Sequence, residues 1–181
     1  MLGWQQIRAT PRNLLDDCRG VAAIEFAFIA MFLCLGVVNV SDTGIYLYKR
    51  MEVENAAQVG AMSALKACDL NHLPATINSN CPALNGAVTA AIQSTSLGSN
   101  VTLNSISEGY YCVNSSNTLQ YVGSVSSARP VDCSAAGMAA LRPVDYLQVP
   151  VTFGYTPLFS GISVAGLFAT PITKTAMLRM E

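Results

Sequence analysis

The longest apolar stretch of the sequence covers residues 21–40, and a helical pattern continues from it to Ala67. The stretch reads VAAIEFAFIAMFLCLGVVNV, with Glu25 as its one carboxylate and Asn39 as its one amide. At a rise of 1.5 Å per residue, about twenty helical residues span the roughly 30 Å hydrocarbon layer of a bilayer. The pattern therefore predicts a transmembrane helix over residues 21–40.

No proline interrupts residues 41–67, and apolar or small residues recur there at helical spacing. An amphipathic helix is stabilised mainly by burial of its apolar face, so this half should pack against the rest of the chain. The stripe that the spacing predicts consists of Ile45, Tyr48, Met51 or Glu52, Ala56 and Val59. Small residues that would let a neighbour approach closely are Ala56, Ala57, Gly60, Ala61 and Ala64.

The remainder of the chain predicts one short helix followed by strands. The helix is expected over residues 82–97, with Gly98 just after its end. Pro150 in a later strand favours an edge or a bulge, because proline cannot donate to the ladder. A long helix followed by antiparallel strands is an α+β arrangement, with the strands packed on residues 41–67. Alternating apolar and polar residues predict strands at 101–105 and 145–155. The short aromatic run 110–113, residues 119–122 after a turn, and residues 172–180 are also expected to form strands.

Charges on either side of the apolar run orient it. Arg8, Arg12 and Arg19 precede the run, whereas Asp42 begins its far flank. Positive residues collect on the cytoplasmic side of a membrane helix. The amino terminus is therefore expected in the cytoplasm, and residues 41–181 outside it.

Three ordinary export signals do not fully account for this amino-terminal region. A cleaved secretory signal has a shorter apolar run and a small-x-small site after it, and neither is present. A lipoprotein signal needs small residues before its cysteine, but Phe32 and Leu33 precede Cys34. A plain signal anchor fits the length of the run and gives no reason for Glu25. A carboxylate inside a membrane segment is costly and points to a function.

Charge and length narrow the class of protein. Only 12% of the 181 residues are charged, and the net charge is −1 with no run of Lys or Arg. A nucleic-acid partner is therefore not expected. The length allows one membrane segment and one modest domain, whose small core would gain from covalent staples.

Four of the six cysteines follow the apolar run, in a region rich in Ser, Asn and Thr. They predict two disulfides in an oxidising compartment. Cys68–Cys81 and Cys112–Cys133 are the favoured pairs because each closes a short loop; the other pairings and free thiols remain alternatives. A metal site is not expected, since His72 is the only histidine and no Cys-x-x-Cys spacing occurs.

Catalytic motifs are missing from the sequence. It contains no Gly-x-Ser-x-Gly, no P-loop and no His-Glu-x-x-His, and its acidic residues are scattered. We therefore expect a protein that is not an enzyme, with no catalytic residues and no cofactor.

The segment RGVAAIEF, residues 19–26, resembles the processing region of type IV prepilins. That pattern has a glycine before the apolar run, a Glu five residues later and an aromatic residue next. The Arg-Gly start, the Glu-Phe pair, ENAA at 54–57 and Gly60-Ala61 are similar to the TadE-like pseudopilins of tight adherence (Tad/Flp) systems. The carboxyl end is also similar, with Tyr-Thr-Pro-Leu at 155–158 and Arg179 near the end of the last strand. A pilin-like fold is what this resemblance implies.

The resemblance implies processing by a membrane prepilin peptidase between Gly20 and Val21. Glu25 would then be the fifth residue of the mature chain, with Phe26 beside it. It implies a cytoplasmic leader over 1–20, a transmembrane helix over 21–40 and a periplasmic pseudopilin domain over 41–181. Gly20 suits the cleavage, because a protease needs an unhindered backbone at the scissile bond.

The same resemblance gives Glu25 a role in assembly. Cleavage creates an ammonium group on Val21 at an apolar helix end. Pairing this ammonium with Glu25 of a neighbouring subunit would offset much of the cost of two charges in lipid and set an axial register. The alternative is that Glu25 only reaches toward the headgroups.

The expected function is that of a minor pseudopilin in a Tad/Flp pilus assembly system for adhesion. A major pilin of such systems is a short chain almost without a globular domain, and this chain is longer. Expected partners are other minor pseudopilins, the major pilin, the prepilin peptidase, the inner-membrane assembly platform and membrane lipid. The expected location is the bacterial inner membrane. A signal-anchored periplasmic binding or adhesin domain that is never processed is the alternative.

Overall fold

The computed structural model describes residues 19–68, 70–77 and 80–180. The predicted leader therefore lies outside the described residues, except for Arg19 and Gly20. The described residues form two helices and five strands, with short 3₁₀ turns between them. The helices are α1, Arg19–Ala67, and α2, Leu84–Gln93. The strands are β1, Val101–Leu103; β2, Ser107–Val113; β3, Leu119–Ser124; β4, Val144–Phe153; and β5, Ile172–Arg179.

The predicted apolar segment and its extension form one uninterrupted helix of 49 residues, α1. At 1.5 Å per residue it is about 70 Å long. Its most apolar part is long enough to cross a membrane, and none of that part is buried within the structure. A core helix of a water-soluble domain would be covered on one face at least. The exposed half of α1 therefore suggests a membrane anchor.

The five strands form one antiparallel sheet with β4 at its centre. One edge of β4 pairs with β2 along its first half and with β1 along its last residues, while the other edge pairs with β5. β3 lies outside β2. This arrangement confirms the α+β fold that the sequence predicts.

The core lies between the sheet and the two helices. Leu147, Val149 and Val151, on one face of β4, are fully buried. Small residues let α1 and α2 approach closely: a Cβ built on Gly60 would lie 2.8 Å from Ile92 Cγ2 of α2. The close packing expected from the small residues of α1 is therefore present.

The buried face of α1 differs from the predicted stripe. Ala56 is buried, but Tyr48 and Met51 are exposed. The sequence around them, IYLYKRM, offers apolar side chains on more than one face, so spacing alone does not select one. The small residues farther along α1 determine which face is buried, because they permit the closest approach of α2 and the sheet. The residues that α1 buries are Asp42, Tyr46, Val53, Ala56, Ala57, Gly60, Ala61 and Ala64.

The second helix is shorter than the prediction of 82–97. Beyond its last residue the hydroxyls of Ser94 and Thr95 donate to the carbonyls of Ala91 and Ile92, at 2.7 and 2.6 Å. Hydroxyl side chains that bond to nearby carbonyls compete with continuation of a helix. The chain then turns into β1.

The expectation that Pro150 marks an edge or a bulge is wrong, because it lies in the central strand. Its carbonyl accepts the N–H of Asn104 at 2.9 Å. In an antiparallel strand the N and C=O of one residue point to the same side. On that side the neighbouring strand ends at Leu103 and the next begins at Ser107. The missing N–H therefore falls where the ladder is already interrupted.

Two disulfides are present, and they are the pairs favoured from the sequence. Cys68–Cys81 joins the end of α1 to the start of α2, with 5.4 Å between the Cα atoms. Cys112–Cys133 joins β2 to the loop after β3, with 5.7 Å between the Cα atoms. Loops of this length constrain the unfolded chain by about 3 kcal/mol each. Cys68 and Cys81 belong to the main core between the helices and the sheet, whereas Cys112 and Cys133 form a small second cluster with Ala136.

Candidate functional site

The processing residues expected from the sequence lie on the first two turns of α1. Val21, Glu25 and Phe26 are all exposed, and a Cβ built on Gly20 would meet no atom within 4 Å. No other described element packs on this part of the helix. The segment is therefore open to another protein or to lipid.

Val21 and Glu25 are four residues apart in one helix and so share a face. The distance along the axis from Val21 to the start of the packed domain at Asp42 is about 30 Å. The structure therefore keeps this pair well away from the sheet and the disulfides. Within one chain, the domain supplies no group to this end of α1.

The Gly20–Val21 bond lies inside the helix. A protease cleaves an extended backbone, so the first turn would have to unwind for cleavage at the bond that the resemblance indicates. Glycine in a helix is less favourable than alanine by about 1 kcal/mol. Gly20 thus makes this unwinding easier at the position where the resemblance places the cut.

A second cluster, which the sequence reasoning missed, lies where the exposed half of α1 ends. Asn39 Oδ1 accepts the backbone N–H of Val164 at 2.7 Å. Asp42 is fully buried, and its two carboxylate oxygens accept the N–H groups of Leu158 and Phe159 at 3.1 and 3.2 Å. We call Asn39 and Asp42 the helix clamp. It holds the chain that connects β4 to β5 against α1.

Aromatic side chains reinforce the clamp. The Tyr155 hydroxyl donates to the backbone carbonyl of Asp42 at 3.2 Å, and the Tyr46 hydroxyl donates to that of Ala169 at the same distance. The Tyr46 ring lies 5.2 Å from Tyr155 and 4.8 Å from Phe168, between centroids. Burial, and then the nearby Asp42 and Tyr46, raise the pKa of Tyr155 above 10. Its hydroxyl therefore stays a donor at any physiological pH.

In the sequence, the clamp is indicated only by two polar residues, Asn39 and Asp42, at the end of an otherwise apolar run. Their partners lie more than a hundred residues away. The Tyr-Thr-Pro-Leu turn at 155–158, part of the resemblance noted above, proves to be the segment that Asp42 holds. The clamp is an arrangement for joining a helix to a domain, because its polar atoms are used in backbone hydrogen bonds.

Farther along α1, Glu52 ties the helix to the chain beyond α2. It forms a 2.7 Å ion pair with Lys49 and accepts the hydroxyl of Ser96. The hydrogen bond from Lys49, followed by that from Ser96, lowers the pKa of Glu52. Glu54 forms a 3.1 Å ion pair with Lys174 of β5. In the described part of the chain, no three His, Cys, Asp or Glu side chains are grouped to hold a metal ion.

Residues 20–62 match the family model described as TadE-like protein. The match covers about a quarter of the chain, from the predicted cleavage site to the packed half of α1. It confirms the resemblance that we drew from the sequence, and a TadE-like segment suggests involvement in a Tad pilus system. No curated protein and no solved structure matches the chain.

Proposed function

We propose that this chain is a minor pseudopilin of a Tad/Flp-type pilus assembly system. One observation carries the proposal: the TadE-like match over residues 20–62 falls on a single helix that is bare in its first half and packed on a domain in its second. A subunit that passes from a membrane into a fibre needs such a helix, which can exchange lipid for neighbouring helices. The domain would set it apart from a major pilin.

In this proposal residues 21–40 span the bacterial inner membrane, with the leader in the cytoplasm and residues 41–181 in the periplasm. The arginines before the apolar run support that orientation. The two disulfides support an oxidising compartment for the domain. Other minor pseudopilins, the major pilin and the assembly platform are the proposed partners, and the chain performs no catalysis of its own.

A prepilin peptidase removes residues 1–20 and leaves an ammonium group on Val21. Glu25 of one subunit then pairs with the Val21 ammonium of the next. Each charge alone would be costly in an apolar environment, so the pair favours one axial register over others. The exposure of this end of α1 supports the proposal, because a neighbouring subunit can reach both residues.

The experiment that tests the proposal is the intact mass of the protein from cells with and without the prepilin peptidase. We expect a chain that begins at Val21 only when the peptidase is present. Gly20→Val should block the cut, because a β-branched side chain crowds the scissile bond. Gly36→Val is the matched control, since a Cβ at Gly36 also meets no atom within 4 Å. It should be processed normally.

A chain that keeps residues 1–20 in the presence of the peptidase would contradict the proposal. The protein would then be the signal-anchored periplasmic binding or adhesin domain that the sequence left as the alternative. Cleavage at another bond, unaffected by Gly20→Val, would also contradict the assigned site. Both outcomes are read directly from the mass.

A further inference from the structure

The chain between β4 and β5, residues 154–171, carries large apolar side chains that the domain leaves uncovered. We call it the connecting loop. Leu158, Ile162 and Leu167 are 68, 61 and 87% exposed, and Phe159 and Val164 are also exposed. The loop contains no charged residue. Single exposed apolar side chains are ordinary, but five within ten residues mark an interaction surface.

The helix clamp fixes where this surface lies relative to the apolar segment. Three hydrogen bonds fix the height of the loop along the axis of α1. Asn39 holds Val164, Asp42 holds Leu158, and Tyr46 holds Ala169. At 1.5 Å per residue, these levels run from about 1.5 Å before Val40 to about 9 Å beyond it. The connecting loop thus stands beside α1 where the apolar run ends.

That position corresponds to one layer of a bilayer. The hydrocarbon core is about 30 Å thick and the whole bilayer about 40–45 Å, so each interfacial layer is roughly 5–8 Å deep. With residues 21–40 across the core, the connecting loop falls in the interfacial layer on the domain side. Its exposed side chains are of the kind that enter such layers.

Several backbone N–H groups of the loop are hydrogen-bonded within the protein, as an environment poor in water requires. The N–H groups of Leu158, Phe159 and Val164 are bonded to the clamp. The N–H of Ser163 donates to the Phe159 carbonyl at 3.0 Å, and that of Ala165 donates to the Ser163 hydroxyl at 3.1 Å. Backbone groups that enter lipid must be bonded internally, and these are.

We propose that the connecting loop is a second membrane contact, which inserts Leu158, Ile162 and Leu167 into the interfacial layer next to the anchor. The contact would fix the rotation of the domain about α1 and hold the domain against the membrane. Because the loop is uncharged, the contact requires acyl chains and not a particular headgroup. The inference rests on the membrane-anchored form in the proposed function, but not on processing or on pilus assembly.

The test places single tryptophans in the full chain, reconstituted in phosphatidylcholine vesicles. The only natural tryptophan, Trp4, is first replaced by Phe. Leu167→Trp reports on the loop. Val131→Trp is the matched control: Val131 is 90% exposed and lies near Pro143, at the opposite end of β4 from the loop. Phe28→Trp reports on the anchor itself.

Quenching by lipids brominated close to the headgroup gives the readout. We expect emission from Leu167→Trp to fall at least about twofold, that from Val131→Trp to stay unchanged, and Phe28→Trp to respond to bromines deep in the acyl chains. The fall should be equal in vesicles with and without anionic lipid.

Three results would overturn the inference. Equal emission from Leu167→Trp and Val131→Trp, with Phe28→Trp quenched, would leave the anchor in place and remove the loop contact. Quenching of none of the three would remove the anchor and the contact together. A Leu167→Trp signal that bromine does not quench, and that shifts to the blue only as protein per lipid rises, would assign the loop to a second copy of the chain.

Discussion

The buried carboxylate of Asp42 accepts the backbone N–H of Leu158 at 3.1 Å, although 116 residues separate them in the sequence. Its second oxygen accepts the N–H of Phe159 at 3.2 Å. One side chain of α1 therefore fixes the path of the chain that leaves the central strand. Through it, the end of the apolar segment is coupled to the sheet.

Asp42→Ala should lower the free energy of unfolding by about 2–4 kcal/mol. The substitution leaves two part-buried N–H groups without acceptors and removes a buried side chain; an unsatisfied donor costs about 1–3 kcal/mol where it is buried. Asp42→Asn should cost less than Asp42→Ala, because one oxygen remains to accept. Denaturant titration of the full chain in detergent micelles, followed by circular dichroism, measures the difference.

Glu54→Ala is the control for this measurement. Glu54 is also an acid of α1, but it is exposed and forms its 3.1 Å ion pair with a half-buried lysine, Lys174. Exposed pairs contribute at most about 1 kcal/mol. Equal losses for Asp42→Ala and Glu54→Ala would show that the clamp does not hold the loop.

Much of this fold could be predicted because its signals are local. The apolar run of residues 21–40, the helical spacing to Ala67 and the alternation in β4 each depend on neighbours in the sequence. The disulfide pairs were also favoured on a local ground, since each closes a short loop. Within α1, the small residues around Gly60 correctly indicated close packing.

The parts that the sequence could not predict depend on distant contacts. Asp42 looked like a flanking charge, because its partners in the connecting loop are not visible from its own neighbours. Pro150 looked like an edge residue, because the gap between β1 and β2 appears only when the strands are paired. Tyr48 matched the helical spacing of the predicted stripe just as the buried residues did, although it is exposed. In each case the local sequence pattern allowed more than one arrangement, and contacts between distant parts of the chain determined which one forms.

Gly60→Ala should destabilise the domain by about 0–2 kcal/mol, despite the better helix propensity of alanine. The added Cβ would lie 2.8 Å from Ile92 Cγ2 and 3.3 Å from Cγ1 atoms of Val149 and Val88. Overpacking of this kind costs about 1–3 kcal/mol, and alanine returns about 1 kcal/mol in propensity. Thermal unfolding of the full chain in micelles shows whether Gly60→Ala lowers or raises the stability.

Gly44→Ala, on the same helix, should have the opposite effect on stability. A Cβ there meets no atom within 4 Å. The variant should therefore be more stable than wild type by about 0.5–1 kcal/mol. A stabilising Gly60→Ala would contradict the close contact between α1 and α2.

The acid limb of the stability curve should depend on Glu52. The hydrogen bonds from Lys49 and then Ser96 lower the pKa of Glu52 below its ordinary value of 4.5. Folding therefore favours the deprotonated carboxyl. Its contribution is complete above pH 4.5 and is lost as the pH falls through the lower folded-state pKa.

Unfolding free energies of wild type and Glu52→Gln, measured over a series of pH values, test this dependence. Wild type should be the more stable at neutral pH, and the difference should shrink steadily below pH 4.5. Glu54→Gln removes the charge of a more exposed carboxylate of α1 and is the matched control; it should cost less stability at neutral pH than Glu52→Gln. A difference between wild type and Glu52→Gln that stays constant with pH would contradict the assigned contacts.

Glu25→Ala should leave the protein in the membrane and abolish the pilus. The apolar run becomes more apolar without the carboxylate, so insertion has no reason to fail. What is lost is the group proposed to pair with the Val21 ammonium of a neighbour. Membrane fractionation and electron microscopy of sheared fibres measure the two effects separately.

Met31→Ala is the control for Glu25→Ala, because Met31 is also exposed on the bare half of α1 and carries no charge. It should leave fibres intact. Glu25→Leu separates the two interpretations of the carboxylate, since leucine cannot pair with an ammonium but suits lipid well. If Glu25→Leu assembles normal fibres, the carboxylate only reaches toward the headgroups. If Glu25→Leu stays in the membrane and fibres are lost, a charge at this position is required for assembly, which is the role proposed for it.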